Sequence, residues 1–390
     1  MDSRERFLSV MDFRKPDRAL LWEMGYWAET LERWYREGLL RRQGFTKDPV
    51  PGEGVRAEAS AHDLFTRTRM RDGDVHEALG FDVGIVALPV NSGPQPPFEL
   101  LIIEENENFK VVQDELGVIK KINKKEASIP QFIDFQVKTR ADFERIVRER
   151  FQPELKNRVP ENWEQLAQGY AGRDYPLAIG GYPYGFYGFL RYLMGEERLL
   201  YNFYDDPRLI KDLMGFLADF WIELWDQALA RVAVDCAFFW EDMSYKQGPL
   251  ISPAMFREFI MPCYQRVAGF LKSRGVNVLM VDTDGNLDAL IPLFLESGLT
   301  GIFPIEVQAG NDLLRIRRNY PRLQLMGGID KLQVARGRGA IDTELEAKVP
   351  IMLDAGGYVP HLDHLVQPEV SWENFSYYRK RLSELIKGGG

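Results

Sequence analysis

Residues 278–286 read Val278-Leu279-Met280-Val281-Asp282-Thr283-Asp284-Gly285-Asn286. Four apolar residues without a polar break, followed by a polar exit turned by a glycine, mark a strand buried on both faces that hands over to a loop and then a helix. The same unit recurs on either side of it. Apolar runs at 20–23, 83–88, 177–180, 236–240, 301–304, 323–326 and 358–361 join 278–281, each followed by a longer amphipathic stretch. Eight strand–helix units predict an α/β fold, a (β/α)8 TIM barrel. The helices carry their own start signals. Asp206-Pro207 supplies an N-cap and a proline at the first helical position, ahead of Leu209, Leu213, Phe216, Leu217, Phe220 and Leu224. Ser252-Pro253 opens a second helix that Gly275 ends, and Trp372 begins the last.

Two regions exceed a minimal barrel. Residues 40–75 are polar and punctuated by glycine and proline, which predicts an N-terminal excursion over one barrel mouth. Residues 98–123 alternate (Leu101-Ile102-Ile103, Phe109, Val111, Val118-Ile119, Ile122) around turn points at Asn106 and Leu116-Gly117, which predicts a small antiparallel β insert. No repeat or linker divides the chain, so one domain over residues 1–390 is expected, α/β barrels running long as single domains.

Composition excludes several classes of function. The chain has 49 basic and 58 acidic side chains, a net charge of −9, and no basic run beyond Lys120-Lys121 and Lys124-Lys125, so nucleic acid is not an expected partner. No apolar stretch reaches the ~18 residues a membrane span needs. Residues 1–14 are charged and lack the apolar core of a signal peptide. The two cysteines, Cys236 and Cys263, build no disulfide framework and match no zinc spacing, so a reducing cytoplasm is the expected compartment.

In a barrel of this kind, polar residues just after a strand face the active-site mouth. Asp282 and Asp284, two apart on an extended segment, face one side. They fit an N-cap with a turn aspartate, or a pair for ligand binding or acid/base work. After the eighth strand comes His361-Leu362-Asp363-His364, which holds two of only four histidines. Histidine is the natural metal ligand and near-neutral acid/base, although a lone one is more often structural. Glu241, Glu306 and Asp330 follow three further strands, each equally able to cap a helix. Together these acids and histidines form a set suited to a divalent cation or to general acid/base chemistry. Gly180-Gly181-Tyr182-Pro183-Tyr184-Gly185-Phe186-Tyr187 reads either as the lining of a pocket for a flat ligand or as an aromatic core turn.

Several segments resemble the uroporphyrinogen decarboxylase superfamily in the right order. Leu20-Leu21-Trp22-Glu23-Met24 is similar to its opening strand. Residues 250–262, with Ser252-Pro253, Phe256, Phe259 and Pro262, are similar to its L-S-P-x-x-F-x-x-F-x-x-P helix entry. Gly327-Gly328-Ile329-Asp330 resembles its G-N-L-D exit. Gly357 to His364, with Pro368 and Glu373-Asn374, resembles its closing segment. The decarboxylases themselves carry M-R-Q-A-G-R where this chain has Met24-Gly25-Tyr26-Trp27-Ala28-Glu29. Glycine and glutamate cannot replace the arginines that grip porphyrinogen carboxylates. The resemblance is nearer to the cobalamin-dependent methyltransferases, whose H-x-C-G-N zinc motif falls on Asp282-Thr283-Asp284-Gly285-Asn286 and whose closing cysteine falls on or near His364.

That resemblance implies a methyltransferase component moving a methyl group between a small methylated substrate and a corrinoid, in the manner of O-demethylation. Asp282, Asp284 and His364 would hold a divalent metal or perform the acid/base step, with Glu241 as a further catalytic acid. Trp22, Tyr26, Tyr184, Glu306, Asp330, His361 and Asn286 would contact substrate. Zinc is the branch's usual ion, and an Asp/Asp/His set is harder than its own ligands. The chain has no D-x-H-x-x-G module, so cobalamin would arrive on a separate corrinoid protein. A homodimer is compatible with the reading. Two rivals stand beside it. One is a decarboxylase or lyase using Arg191 or Lys331 as anion contacts; the other is a non-catalytic binder of a corrinoid or tetrapyrrole.

Overall fold

The computed structural model describes residues 1–41, 54–56, 73–125 and 129–388. Its centre is a parallel sheet of seven strands: β1 (Val86–Ala87), β2 (Leu177–Gly181), β3 (Cys236–Trp240), β4 (Val278–Asp282), β5 (Gly301–Phe303), β6 (Gln324–Met326) and β7 (Tyr358–Val359). Spatial order follows chain order, each strand pairing with the next. This is the curled sheet of a TIM-type barrel, with helices between strands. Side chains alternate as the pleat requires. Ala178, Cys236, Phe238, Val278, Met280, Phe303, Met326 and Val359 gather in one interior cluster. Their neighbours Leu177, Ile179, Ala237, Phe239, Leu279, Val281, Ile302 and Leu325 belong to the layer shared with the helices.

The eighth expected strand is not a ladder strand. Leu20, Trp22 and Met24 do join the interior cluster, so the burial pattern of residues 20–23 reads correctly. Their backbone, however, is met mainly by side chains. The Leu21 N–H donates to the Asp82 carboxylate at 2.7 Å, and the Trp22 carbonyl accepts from Arg379 Nη1 at 3.1 Å. Among the described residues a single parallel bridge, Tyr26 to Val366, follows.

One end of the barrel is plugged. Helix α1 (Ser3–Met11), opened by an Asp2/Glu5 capping box, turns Phe7, Val10 and Met11 into the interior cluster. The Val10 carbonyl accepts from Gly357 N–H at 3.1 Å and that of Met11 from Gln324 Nε2 at 2.9 Å, both at strand starts. The strand ends therefore form the open mouth.

Around the sheet run α2 (Phe186–Met194), α3 (Pro207–Leu229), α4 (Lys331–Arg336) and α5 (Trp372–Gly388). As the sequence predicts, Asp206 caps α3, accepting from Leu209 N–H at 2.9 Å. Its buried face includes Leu209, Leu213, Leu217, Phe220 and Leu224, each worth roughly 1.5–3 kcal/mol of burial. The antiparallel insert has four strands, Leu101–Glu105, Phe109–Gln113, Ile119–Asn123 and Gln131–Asp134, one more than the 98–123 reading contains. Val118 packs it against Tyr192 and Trp240, beside the end of β3. Of the expected 40–75 excursion, residues 42–53 and 57–72 lie outside the described residues. Gly54–Arg56 pairs antiparallel with Gly25–Trp27, and Gly73–Leu79 is helical.

Candidate active site

β3 and β4 run in register until Trp240 meets Asp282, where the Glu241 N–H donates to the Asp282 carbonyl at 2.9 Å. Beyond that point two adjacent acids part company. Asp242 has φ +40°, in the left-handed region that aspartate tolerates better than most residues. Glu241 turns into the fold. Its carboxylate accepts from the N–H groups of Phe186, Tyr187 and Gly188 at 2.8, 2.7 and 2.9 Å, and from the Tyr264 hydroxyl. These are amides at the start of α2, which have no intrahelical partner. The approach needs glycine at 185, where a Cβ would stand 2.0 Å from the Trp240 carbonyl oxygen. Glu241, expected at the mouth as a catalytic acid, is thus completely buried and serves the helix N-terminus instead.

Asp242 faces the mouth. Arg191 Nη2 donates to its carboxylate at 2.9 Å and Nη1 to its carbonyl at 2.8 Å, while Nη1 also lies 3.5 Å from Glu196. The guanidinium rests 5.1 Å from the centre of the Trp240 ring, which in turn stacks on Tyr192 at 5.2 Å. Burial, and then the negative charge of Asp284, raise the Asp242 carboxyl above the usual range; Arg191 and His364 oppose them.

On the next exit, Gly285 has φ +79°, and a Cβ there would meet the Ser244 carbonyl at 2.3 Å. Its N–H donates to Glu306 at 3.2 Å, so Glu306 holds the turn that presents Asp284. From the closing segment, His364 Nε2 comes within 3.3 Å of Asp284 Oδ2. Side chains 22% and 36% exposed leave this pair open to a ligand. Asp282, buried at the end of β4, lies two residues from Asp284 at the same barrel end.

The remaining expected residues divide. His361 is buried, with Nδ1 2.6 Å from the Leu362 carbonyl, and burial pushes its pKa down to about 3. Trp22 meets it edge-on at 5.0 Å in the barrel interior, and neither Trp22 Nε1 nor His361 Nε2 has a hydrogen-bond partner among the described residues. Tyr26 sits in an outer core against Trp34 and Phe375 at 5.1 and 5.7 Å. Asp330 caps α4, accepting from Leu332 N–H at 2.9 Å. Asn286 ties loops together, its Nδ2 donating to the Ala309 carbonyl at 3.2 Å. Tyr184 lines a cavity of about 450 Å³ at the ends of β1 and β2, with Tyr182, Asn91 and Arg158 among its other walls. The mouth therefore brings His364 to Asp284 and adds Asp242 and Arg191, while Asp282 ends β4 two residues away. Asp242 was signalled only by adjacency to Glu241, and Arg191 only as an anion contact.

Among the described residues, no three His, Cys, Asp or Glu side chains gather as a group able to hold a metal ion. No helix of the described residues is long and apolar enough to cross a membrane.

A family model described as uroporphyrinogen decarboxylase (URO-D) matches residues 110–385. Among solved structures, the chain is similar to a methyltransferase from Methanosarcina mazei at 15% identity and a TM-score of 0.61, with 98% of this chain and 99% of the other covered. At that identity the likeness shows a shared fold. A 3-keto-D-glucoside 4-epimerase from E. coli aligns at 14% identity and a TM-score of 0.31 over 57% of this chain and 84% of its own, a likeness too slight to use. No curated protein matches the chain.

Proposed function

Given that this chain belongs to the uroporphyrinogen decarboxylase family, we propose that it is a methyltransferase component, moving a methyl group from a small oxygen-methylated substrate to a corrinoid held by a separate protein. The observation that carries the reading is the His364–Asp284 pair at the open mouth, 3.3 Å apart. When a methyl group leaves an ether or phenolic oxygen, that oxygen takes on negative charge and needs a proton. His364, oriented by Asp284, supplies it as general acid, a role worth roughly 10²–10⁴ in rate. Asp242 and its partner Arg191 complete the local charge balance. The corrinoid supplies the nucleophile that accepts the methyl group. Tyr182 and Tyr245, 47% and 58% exposed, offer aromatic surface to a flat ring brought by a partner. No step runs through a metal.

Decarboxylation is the weaker reading. It needs cations free to bind substrate carboxylates, whereas Arg191 is engaged by Asp242 and Glu196, and Lys331 Nζ lies 3.3 Å from buried Asp363. The test is a panel of methylated phenols, methylated amines and glycine betaine, each incubated with cob(I)alamin and the purified protein. An oxygen-methylated member is expected to yield methylcobalamin. If no donor reacts while a carboxylated substrate releases carbon dioxide, the reading is wrong.

A further inference from the structure

The segment that presents His364 is anchored from two sides by buried carboxylates, and one of them comes from the opposite end of the chain. Glu23 is completely buried where the eighth ladder strand was expected. Its Oε1 accepts from the Leu362 N–H at 2.9 Å. Its Oε2 accepts from Arg379 Nη1 at 3.1 Å and from the Tyr378 hydroxyl at 3.3 Å, both on α5. Arg379 also donates to the Trp22 carbonyl at 3.1 Å. Across the segment, Asp363 accepts from Val307 N–H at 2.9 Å and Lys331 N–H at 3.1 Å, and its own N–H donates to the Ile329 carbonyl at 2.8 Å. The His361 ring, the Leu362 N–H and Asp363 are each tied down, and His364 is the next residue along, its ring reaching the mouth.

A buried carboxylate–arginine pair is a costly replacement for a backbone ladder, because both ions must leave water. A ladder, however, can slip by a residue. A carboxylate held by two groups of α5, whose Oε1 accepts from the N–H of Leu362 at 2.9 Å and more weakly from that of its neighbour Met24 at 3.4 Å, cannot. We propose that Glu23 is a positioning residue for His364: by accepting from the Leu362 N–H it sets where the His364 ring meets Asp284. The inference rests on His364 being a working residue of the proposed reaction.

Two substitutions separate reach from charge. Glu23→Asp keeps a charge opposite Arg379 but is one methylene too short for Leu362. Glu23→Gln keeps an oxygen at that distance without the charge, and Arg379 retains the Trp22 carbonyl. The readout is the carbon-13 spectrum of labelled histidine rings. Four histidines make it sparse, and the signal lost in His364→Asn identifies His364. The expected result is a His364 resonance displaced by more than its linewidth in Glu23→Asp and at its wild-type position in Glu23→Gln. A resonance unmoved in both, or displaced equally by both, means that Glu23 serves stability alone and overturns the proposal. Should Glu23→Asp fail to fold, two other variants take its place. Tyr378→Phe leaves Oε1 at Leu362 and serves as the control, while Glu23→Met, of similar length but with no acceptor for the Leu362 N–H, supplies the test. A His364 resonance displaced in Glu23→Met and at its wild-type position in Tyr378→Phe upholds the proposal, and one unmoved in Glu23→Met, or displaced in both, overturns it. The spectrum assumes nothing about the reaction. A protein that behaves as expected here yet methylates no cob(I)alamin would refute the proposed function and leave standing only the placement of the His364 ring by Glu23.

Discussion

His361 and His364 lie three residues apart and live in opposite surroundings. His364 is partly exposed beside Asp284, while His361 is sealed in the barrel with its pKa pushed down to about 3 by burial. Between that value and the ordinary histidine value of about 6.5, the unfolded chain binds a proton at this site that the folded chain refuses. Stability from this residue is therefore complete above about pH 6.5 and is lost as pH falls toward 3, by up to about 1.4 kcal/mol per pH unit. Replacing it by leucine should flatten the pH dependence of denaturant-measured stability between roughly pH 4 and 6. An unchanged slope would mean that the ring is protonated in the folded protein. Sequence placed both histidines after the last strand but could not assign these roles, because nothing local distinguishes an interior-facing ring from a mouth-facing one. Glu241 and Asp242 pose the same problem. The positive φ of Asp242 sends two neighbouring acids different ways, Glu241 inward and Asp242 to the mouth, and no sequence pattern separates them.

At the scale of elements, Glu241 shows why a strand-end acid is not by itself a catalytic acid. The start of α2 has three amides that no glutamate or aspartate of its own helix satisfies, and β3 provides the acceptor. Glu241→Ala should cost several kcal/mol in denaturant unfolding, at about 1–3 for each buried donor left without an acceptor. A loss under about 1 kcal/mol would show that water replaces the carboxylate. The barrel strands were legible because parallel strands buried on both faces leave unbroken apolar runs. Leu20-Leu21-Trp22 carry such a run yet form no ladder strand, since hydropathy reports burial and not the partner of each N–H. The fourth strand of the insert, Gln131–Asp134, is short and half polar, and its pairing with Ile119–Asn123 shows only in three dimensions.

Across the whole molecule, α1 closes the barrel at the strand starts and leaves the strand ends open, which gives the acids and His364 one shared mouth. Barrel topology makes residues from β3, β4 and the closing segment neighbours although they are far apart in the chain. That convergence was legible in outline. Which side chains point inward depended on capping debts and backbone turns that no pattern of hydropathy records. The account as a whole stands on His364 as the proton donor at that mouth, and the rate of methyl transfer to cob(I)alamin by His364→Ala, measured against wild type with a donor the wild type uses, tests it most directly. The rate should fall by roughly 10²–10⁴ while the melting temperature holds. A variant transferring methyl groups at close to the wild-type rate would contradict it.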